Sequence, residues 1–309
     1  MIGGRAGGSR VRTVFFGSGG FGVESLRRLA AQPDVELVGV VTAPARTTPI
    51  SDAAQLLGVG PVLTPRRLRA AESIAEVMAL RPELIVLADY GQIVPADLLE
   101  LPHGALNLHP SLLPRHRGAT PIPAAILAGD AETGVSLMRM DAGLDTGPLV
   151  GQRRLALHGD EVAPDLEAAL SVVGADLLSA SLGPWLDGDL GTTPQPEDEA
   201  TLTRPLRRVD GRLDPARSAV DLERQVRAYQ PWPGSFIDTG KDRIVVWLAS
   251  AAPGSPGPAG VIASGGLSTG DGVLALHEVQ PAGGKRMTWD AFLRGHPGII
   301  GSTALASDP

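Results

Sequence analysis

Along the first two-thirds of the chain, apolar residues fall into short blocks of two alternating kinds. Residues 11–16 form a β-rich run that ends in Gly17-Ser18-Gly19-Gly20-Phe21-Gly22. Val23, Leu26, Leu29 and Ala30 then recur at helical spacing. Residues 36–42 are apolar nearly throughout, as central parallel strands are, and 61–63 is a short third strand. The pattern continues with a helix over 70–80, a strand over 84–88, a short helix over 95–99 and a strand over 104–108. A helix over 121–128, a strand over 134–140 and a helix over 164–186, broken near Gly183-Pro184, complete it. Strand and helix alternate, so the spacing predicts an α/β domain with a doubly wound, mostly parallel sheet. In such sheets ligands bind beyond the carboxyl ends of the strands.

Past residue 187 the pattern changes. Residues 188–206 are polar, with Gly, Thr and Pro around Glu197-Asp198-Glu199, and read as a linker. An amphipathic helix over 219–229 follows, then Pro231-Trp232-Pro233-Gly234, read as a core turn because Trp usually marks packing. Short strands over 243–248, 260–264 and 272–279, separated by Gly/Pro turns, suggest a small β-barrel. The chain therefore divides into a Gly- and Arg-rich tail (1–10, expected to be disordered), a catalytic domain (11–187), a linker (188–206) and a C-terminal domain (207–309).

Composition narrows the chemistry. With 309 residues there is room for two cores. With no cysteine there are no disulfides, thiolate zinc sites or thiol nucleophiles. No apolar stretch reads as long enough to span a bilayer, so no membrane partner is expected and residence is cytoplasmic. The net charge of −7 is uneven: −8 before Arg207 and +1 from there on. The second part is the less hostile one for a polyanion.

The chemistry-bearing run is Asn107-Leu108-His109-Pro110-Ser111-Leu112-Leu113-Pro114, followed later by Gly143-Leu144-Asp145-Thr146-Gly147. Asn107 and His109 are two apart, so on an extended segment both point to one face. An amide and an imidazole converging on a carbonyl oxygen make an oxyanion site. Asp145 can orient the imidazole, raise its pKa and accept a proton. The set points to acyl-type transfer with no metal and no covalent nucleophile. The glycine turn after the first strand fits G-x-G-x-x-G. It reads either as a pyrophosphate cradle or as a tight strand-to-helix turn. No acidic residue stands at the end of the second strand, where an NAD site wants one, although Arg46 would suit a 2′-phosphate.

Residues 107–122 together resemble the signature of the 10-formyltetrahydrofolate-dependent formyltransferases. Ala128-Gly129-Asp130-Ala131-Glu132-Thr133-Gly134-Val135 and Met140-Asp141-Ala142-Gly143-Leu144-Asp145 extend the likeness. Ala228-Tyr229-Gln230-Pro231-Trp232-Pro233-Gly234 and Gln280-Pro281-Ala282-Gly283-Gly284-Lys285 resemble the branch of that family acting on tRNA. The resemblance implies a Rossmann-like domain followed by an OB-like β-barrel, with the glycine turn a feature of the fold. It implies Asn107, His109 and Asp145 as the catalytic set, and Ser111, Leu112, Leu113 and Pro114 as the folate-binding segment. Ala88, Asp89, Tyr90 and Gly91, with Asp141 and Gly143, would line the pterin pocket. The co-substrate implied is 10-formyltetrahydrofolate, the acceptor a methionyl-tRNA used in translation initiation, and a monomer is expected. Arg46, Arg115, Arg117, Lys285 and Arg286 are the candidate tRNA contacts. One departure stands out. The tRNA-acting branch carries a long basic loop after the second strand, whereas here residues 44–51 are short and hold one arginine, Arg46. A small amine such as an amino sugar, hydrolysis to formate, or a dinucleotide-dependent reductase remain the alternatives.

Overall fold

A computed structural model describes residues 10–254 and 257–306. The expected tail falls almost wholly outside the described residues.

The chain forms two compact units. The first comprises residues 1–121, 132–156 and 166–204. Its elements begin with β1 (Val11–Phe16), α1 (Val23–Ala30), β2 (Val35–Val41), α2 (Pro49–Leu57), β3 (Val62–Leu63) and α3 (Ala71–Ala79). They continue with β4 (Leu84–Ala88), β5 (Ala105–His109), β6 (Arg117–Gly118), α4 (Pro121–Ala128), β7 (Glu132–Arg139) and β8 (Leu149–Ala156). Then come α5 (Ala163–Asp187) and β9 (Leu202–Thr203). α4 groups with the second unit, as do residues 157–165.

The main sheet has the order β3-β2-β1-β4-β5-β7-β8. The first five strands are parallel; β7 and β8 join antiparallel. The order reverses at β1, so the strands are doubly wound as the alternation predicts. β1 and β4 are buried almost residue for residue, which explains their continuous apolar runs. One core layer packs Val14, Phe16, Val41, Ile85, Leu87 and Leu98 together.

Three elements differ from expectation. The segment read as a loop at 44–51 ends in α2. Thr48 Oγ1 accepts from the Ser51 amide, Ser51 Oγ accepts from the Thr48 amide, and Gly58 closes the helix in the left-handed region. α5 runs unbroken through Pro184. The proline forfeits one backbone hydrogen bond, but the next two residues, Trp185 and Leu186, are fully buried and hold the last turn in place. Trp185 also donates from Nε1 to the His103 carbonyl at 3.0 Å. α5 is moreover long and apolar enough to cross a membrane by length and composition, contrary to the sequence expectation; half of the apolar window is buried inside the protein. β8 was not foreseen because it alternates poorly: its middle residues Gln152, Arg153 and Arg154 are all exposed on the sheet edge.

The second unit comprises residues 122–131, 157–165 and 205–309. α6 (Ala219–Ala228) precedes β10 (Ser235–Asp238), β11 (Arg243–Ala252), β12 (Ile262–Ala263), β13 (Gly266–Ser268), β14 (Val273–Pro281), β15 (Met287–Thr288) and α7 (Trp289–Gly295). The strands form one antiparallel sheet of order β10-β11-β14-β13-β12, with β15 pairing β14. Leu222 and Val226 of α6 and Phe292 of α7 fill its core with Ile244, Val246 and Val279. Trp232, expected in a core turn, is 54% exposed. The rigid turn is there, but the indole faces water.

Candidate active site

β5 ends in Asn107-Leu108-His109, and the pleat separates the three. Leu108 is buried on one face, while Asn107 and His109 share the other. The His109 ring is almost wholly enclosed. Its Nε2 lies 2.9 Å from the His116 carbonyl. A carbonyl only accepts, so Nε2 carries the hydrogen and the lone pair of the neutral ring is on Nδ1. That nitrogen faces Asp145 Oδ2 at 3.6 Å. Asn107 Nδ2 faces Asp145 Oδ1 at 3.5 Å. The carboxylate thus sits between the amide and the imidazole, at separations longer than a tight hydrogen bond. Burial pushes the His109 pKa below its ordinary 6.5, and the Asp145 charge and the His116 carbonyl oppose the shift.

The loop that carries Asp145 is held at three points. The Gly118 amide donates to its Oδ2 at 2.8 Å. Gln195 Nε2 donates to the Asp145 carbonyl at 2.8 Å and to the Gly147 carbonyl at 2.7 Å. Asp141 Oδ1 accepts from the Gly143 amide and from Thr146 Oγ1, closing the β7–β8 loop on itself. Asp145 has φ of +54° and His116 of +59°, both left-handed. Two non-glycine residues held in that region around one carboxylate mark stored backbone strain. Gly118, at φ +104°, must be glycine: a Cβ there would fall 2.3 Å from the Thr203 carbonyl oxygen.

Much of this scaffold comes from the segment read as a linker. Residues 188–204 group with the first unit. Thr203 pairs with Gly118 in the β6–β9 ladder, and Gln195 and Glu197 hold Arg117. Arg117 was a candidate tRNA contact; its guanidinium is buried and bound to Glu197 at 2.9 Å, so it braces the loop and does not reach a partner. Arg115, Arg46, Lys285 and Arg286 are exposed. Arg286 is paired with Glu278 and lies 5.4 Å from the Trp247 ring centre.

The segment 111–114 is mostly enclosed by protein. Ser111, Leu113 and Pro114 are buried, and only Leu112 is partly open. Ser111 Oγ donates to the Arg115 carbonyl at 2.6 Å, and Ser136 Oγ donates to the Ser111 carbonyl at 2.7 Å. The three buried side chains shape the turn, and Leu112 is the one partly open side chain of the four. Ala88 is buried at the end of β4, and Tyr90 packs edge-on against Phe16, its hydroxyl without a hydrogen-bond partner among the described residues. Burial pushes the Tyr90 pKa up to about 12, so the hydroxyl stays a neutral donor. Gly91, Asp141 and Gly143 lie on exposed loop positions.

The glycine turn is filled by protein. A Cβ on Gly19 would fall 1.6 Å from Asp89 Oδ2, and one on Gly20 would fall 2.6 Å from Glu167 Oε1. Two carboxylates lie where a cradle would need to admit a pyrophosphate, which rules against the dinucleotide reading. Protein mass around Asp89, though water reaches it, raises its pKa; burial and then Asp89 raise that of Glu167.

Both units match known families. Residues 11–182 match the formyl transferase family and residues 205–297 the formyl transferase C-terminal domain. A methionyl-tRNA formyltransferase of Myxococcus xanthus (strain DK1622) is 42% identical over 308 residues, covering 95% of this chain and 98% of the relative. One of Roseiflexus sp. (strain RS-1) is 42% identical, covering 92% of each. The chain belongs to the formyl transferase family. Among solved structures, the formyltransferase WlaRD, a sugar 3N-formyl transferase, aligns with a TM-score of 0.66 at 16% identity, covering 89% of this chain and 98% of its own. HypX from Aquifex aeolicus, solved with tetrahydrofolic acid, aligns at 0.64 and 17%, covering 92% of this chain and 47% of its own. At such identities these two speak for a shared fold.

Proposed function

We propose that this formyltransferase moves the formyl group of 10-formyltetrahydrofolate to the free α-amine of methionyl-tRNA, in the cytoplasm, for translation initiation. The observation carrying the reading is the convergence of Asn107, His109 and Asp145 at the carboxyl end of β5, in a chain alike end to end to methionyl-tRNA formyltransferases.

The amine nitrogen attacks the formyl carbon, and the carbonyl electron pair moves onto oxygen. Asn107 Nδ2 has two hydrogens, one turned toward Asp145. The other donates to the oxyanion. The amine proton passes to the His109–Asp145 pair, where Nδ1 has its lone pair and the carboxylate stabilises the imidazolium that forms. The protonated Nδ1 is then held by the Asp145 carboxylate that it faces. The tetrahedral centre collapses, its bond to N10 of the folate breaks, and that nitrogen takes the proton held by the His109–Asp145 pair, which returns the site to its starting state. The products are N-formylmethionyl-tRNA and tetrahydrofolate, with every atom accounted for. Long separations in the resting site fit this scheme, because catalytic hydrogen bonds tighten only once the reacting group is between them.

The test is incubation with 10-formyltetrahydrofolate and methionyl-tRNA, with hydrolysis of the ester and detection of formylmethionine. Tetrahydrofolate should form in equal amount, and omission of tRNA should stop it. Steady formate release without an acceptor would refute transfer, and formylation of an amino sugar with indifference to tRNA would refute the acceptor.

A further inference from the structure

The turn between β3 and α3 reads Pro65-Arg66-Arg67-Leu68-Arg69. Pro65 and Leu68 are buried; Arg66, Arg67 and Arg69 are all exposed. Among the described residues none of the three guanidiniums has a hydrogen-bond or ion-pair partner, although Glu72 and Glu76 follow on α3. Several other arginines of this unit are engaged: Arg12 with Glu36, Arg28 with Glu24 and Asp176, Arg117 with Glu197, Arg154 with Glu132. The sequence up to residue 206 carries a net charge of −8, so the unpaired cluster stands against an acidic background. Stability offers no reason for it. The arginines lie beside the N-terminal end of α3, where the helix dipole disfavours positive charge.

The turn is nevertheless held firmly. Gln92 Oε1 accepts from the Leu68 amide at 2.8 Å, and Gln92 Nε2 donates to the Pro65 carbonyl at 2.9 Å. Gln92 lies just beyond β4, next to Tyr90 and Gly91, so the clamp ties the arginine turn to the loop beside the candidate active site. β2 and β3 are neighbours and parallel, with Val41 opposite Leu63. The loop bearing Arg46 therefore leaves the sheet next to the arginine turn, at the same carboxyl edge as Asn107 and His109. Four strand spacings separate β3 from β5, roughly 19 Å at about 4.8 Å each. An acceptor whose amine sits at Asp145 reaches that far only if it is long. A nucleic-acid strand carries a negative phosphate at every nucleotide along that length.

We propose that Arg66, Arg67 and Arg69 form a phosphate-binding turn that grips the backbone of the acceptor RNA while its aminoacyl end lies at Asn107, His109 and Asp145. The proposal rests on the RNA acceptor named above. Charge complementarity carries it: three partnerless guanidiniums on a clamped turn, at the edge where the acceptor enters. They supply cationic surface that the short loop at Arg46 does not.

The test is Arg66→Ala, Arg67→Ala and Arg69→Ala combined, with the triple lysine variant beside it. Formylation of methionyl-tRNA is followed as a function of potassium chloride from about 50 to 200 mM, the range over which phosphate contacts are released. The alanine variant should raise the KM for tRNA roughly 10- to 100-fold at low salt, flatten the slope of log(kcat/KM) against log[salt] by about 2, and leave the KM for monoglutamyl 10-formyltetrahydrofolate as it was. The lysine variant should keep most of the salt slope. An unchanged tRNA KM and slope would overturn the proposal, as would a loss confined to a polyglutamylated folate. Wild-type protein in the same assay separates the two readings: turnover of methionyl-tRNA with an indifferent alanine variant removes only the arginine turn, while no turnover by wild type removes the acceptor as well.

Discussion

Replacing Asp145 by Asn isolates its charge. The asparagine carbonyl oxygen still accepts from the Gly118 amide, and the backbone carbonyl still accepts from Gln195, so the loop keeps its anchors. What disappears is the negative charge 3.6 Å from His109 Nδ1. That charge matters little while the imidazole is neutral and most when it has taken the amine proton. At an effective dielectric constant of about 20, opposite unit charges at this distance attract by about 4.6 kcal/mol. Losing that from the transition state corresponds to roughly a thousandfold in kcat. The pH profile moves as well. Burial already holds the His109 pKa below 6.5, and Asp145 opposes it. Without the carboxylate the pKa falls further, so the acid limb of kcat should move to lower pH in the variant. The assay is pre-steady-state formylation at saturating folate from about pH 5 to 8, with thermal unfolding as control. The KM for folate and the melting temperature should change little. A kcat within tenfold of wild type, or an acid limb displaced upward, would refute the assignment of His109 and Asp145 as a proton-accepting pair.

Other substitutions report on the remaining parts. Asn107→Ala removes one oxyanion donor and should lower kcat about 100- to 1000-fold with an unchanged folding midpoint; single-turnover formylation checks it. Gln195→Ala strips the Asp145 and Gly147 carbonyls of their donor and Arg117 of one acceptor. It should cost roughly 2–4 kcal/mol in urea unfolding and lower kcat about 10- to 100-fold through loop misplacement. Glu167→Gln tests the carboxylates over the glycine turn. The Glu167 pKa is raised in the folded state, so its folded-state preference is for the neutral acid, present at low pH and lost as pH rises through the folded pKa. Differential calorimetry should find the glutamine variant more stable than wild type near pH 8, the advantage vanishing toward about pH 4; an advantage largest at acid pH would contradict the sign.

How far the site can be read from sequence depends on how far apart its parts lie along the chain. The pleat makes Asn107 and His109 neighbours on one face through a separation of two residues, so their partnership is written locally. The cap that starts α2 was equally local: Thr48 and Ser51 with Pro49 between them, and Gly58 at the end. It is masked in the pattern because the buried positions that follow are Ile50 and the small Ala53 and Ala54, while Leu56, at 82% exposure, faces water. The grip on Asp145 is of another kind. Gln195 lies 50 residues away and Thr203 meets Gly118 across 85, inside a stretch whose Gly, Thr, Pro and acidic residues carry the composition of a linker. Composition reports what a segment does by itself, and this one spends Gln195, Glu197, Thr201 and Thr203 on hydrogen bonds to a loop elsewhere in the chain. Arg117 shows the same limit from the opposite side. In sequence it is one of two arginines flanking His116, and nothing local separates them. In the fold one guanidinium is sealed against Glu197 while Arg115 stays at the surface. Whether a cation is free to meet RNA is decided by the acids that the fold brings to it. By that criterion the three arginines after β3, to which the described residues bring no acid, are better placed to bind phosphate than Arg117 beside the candidate active site.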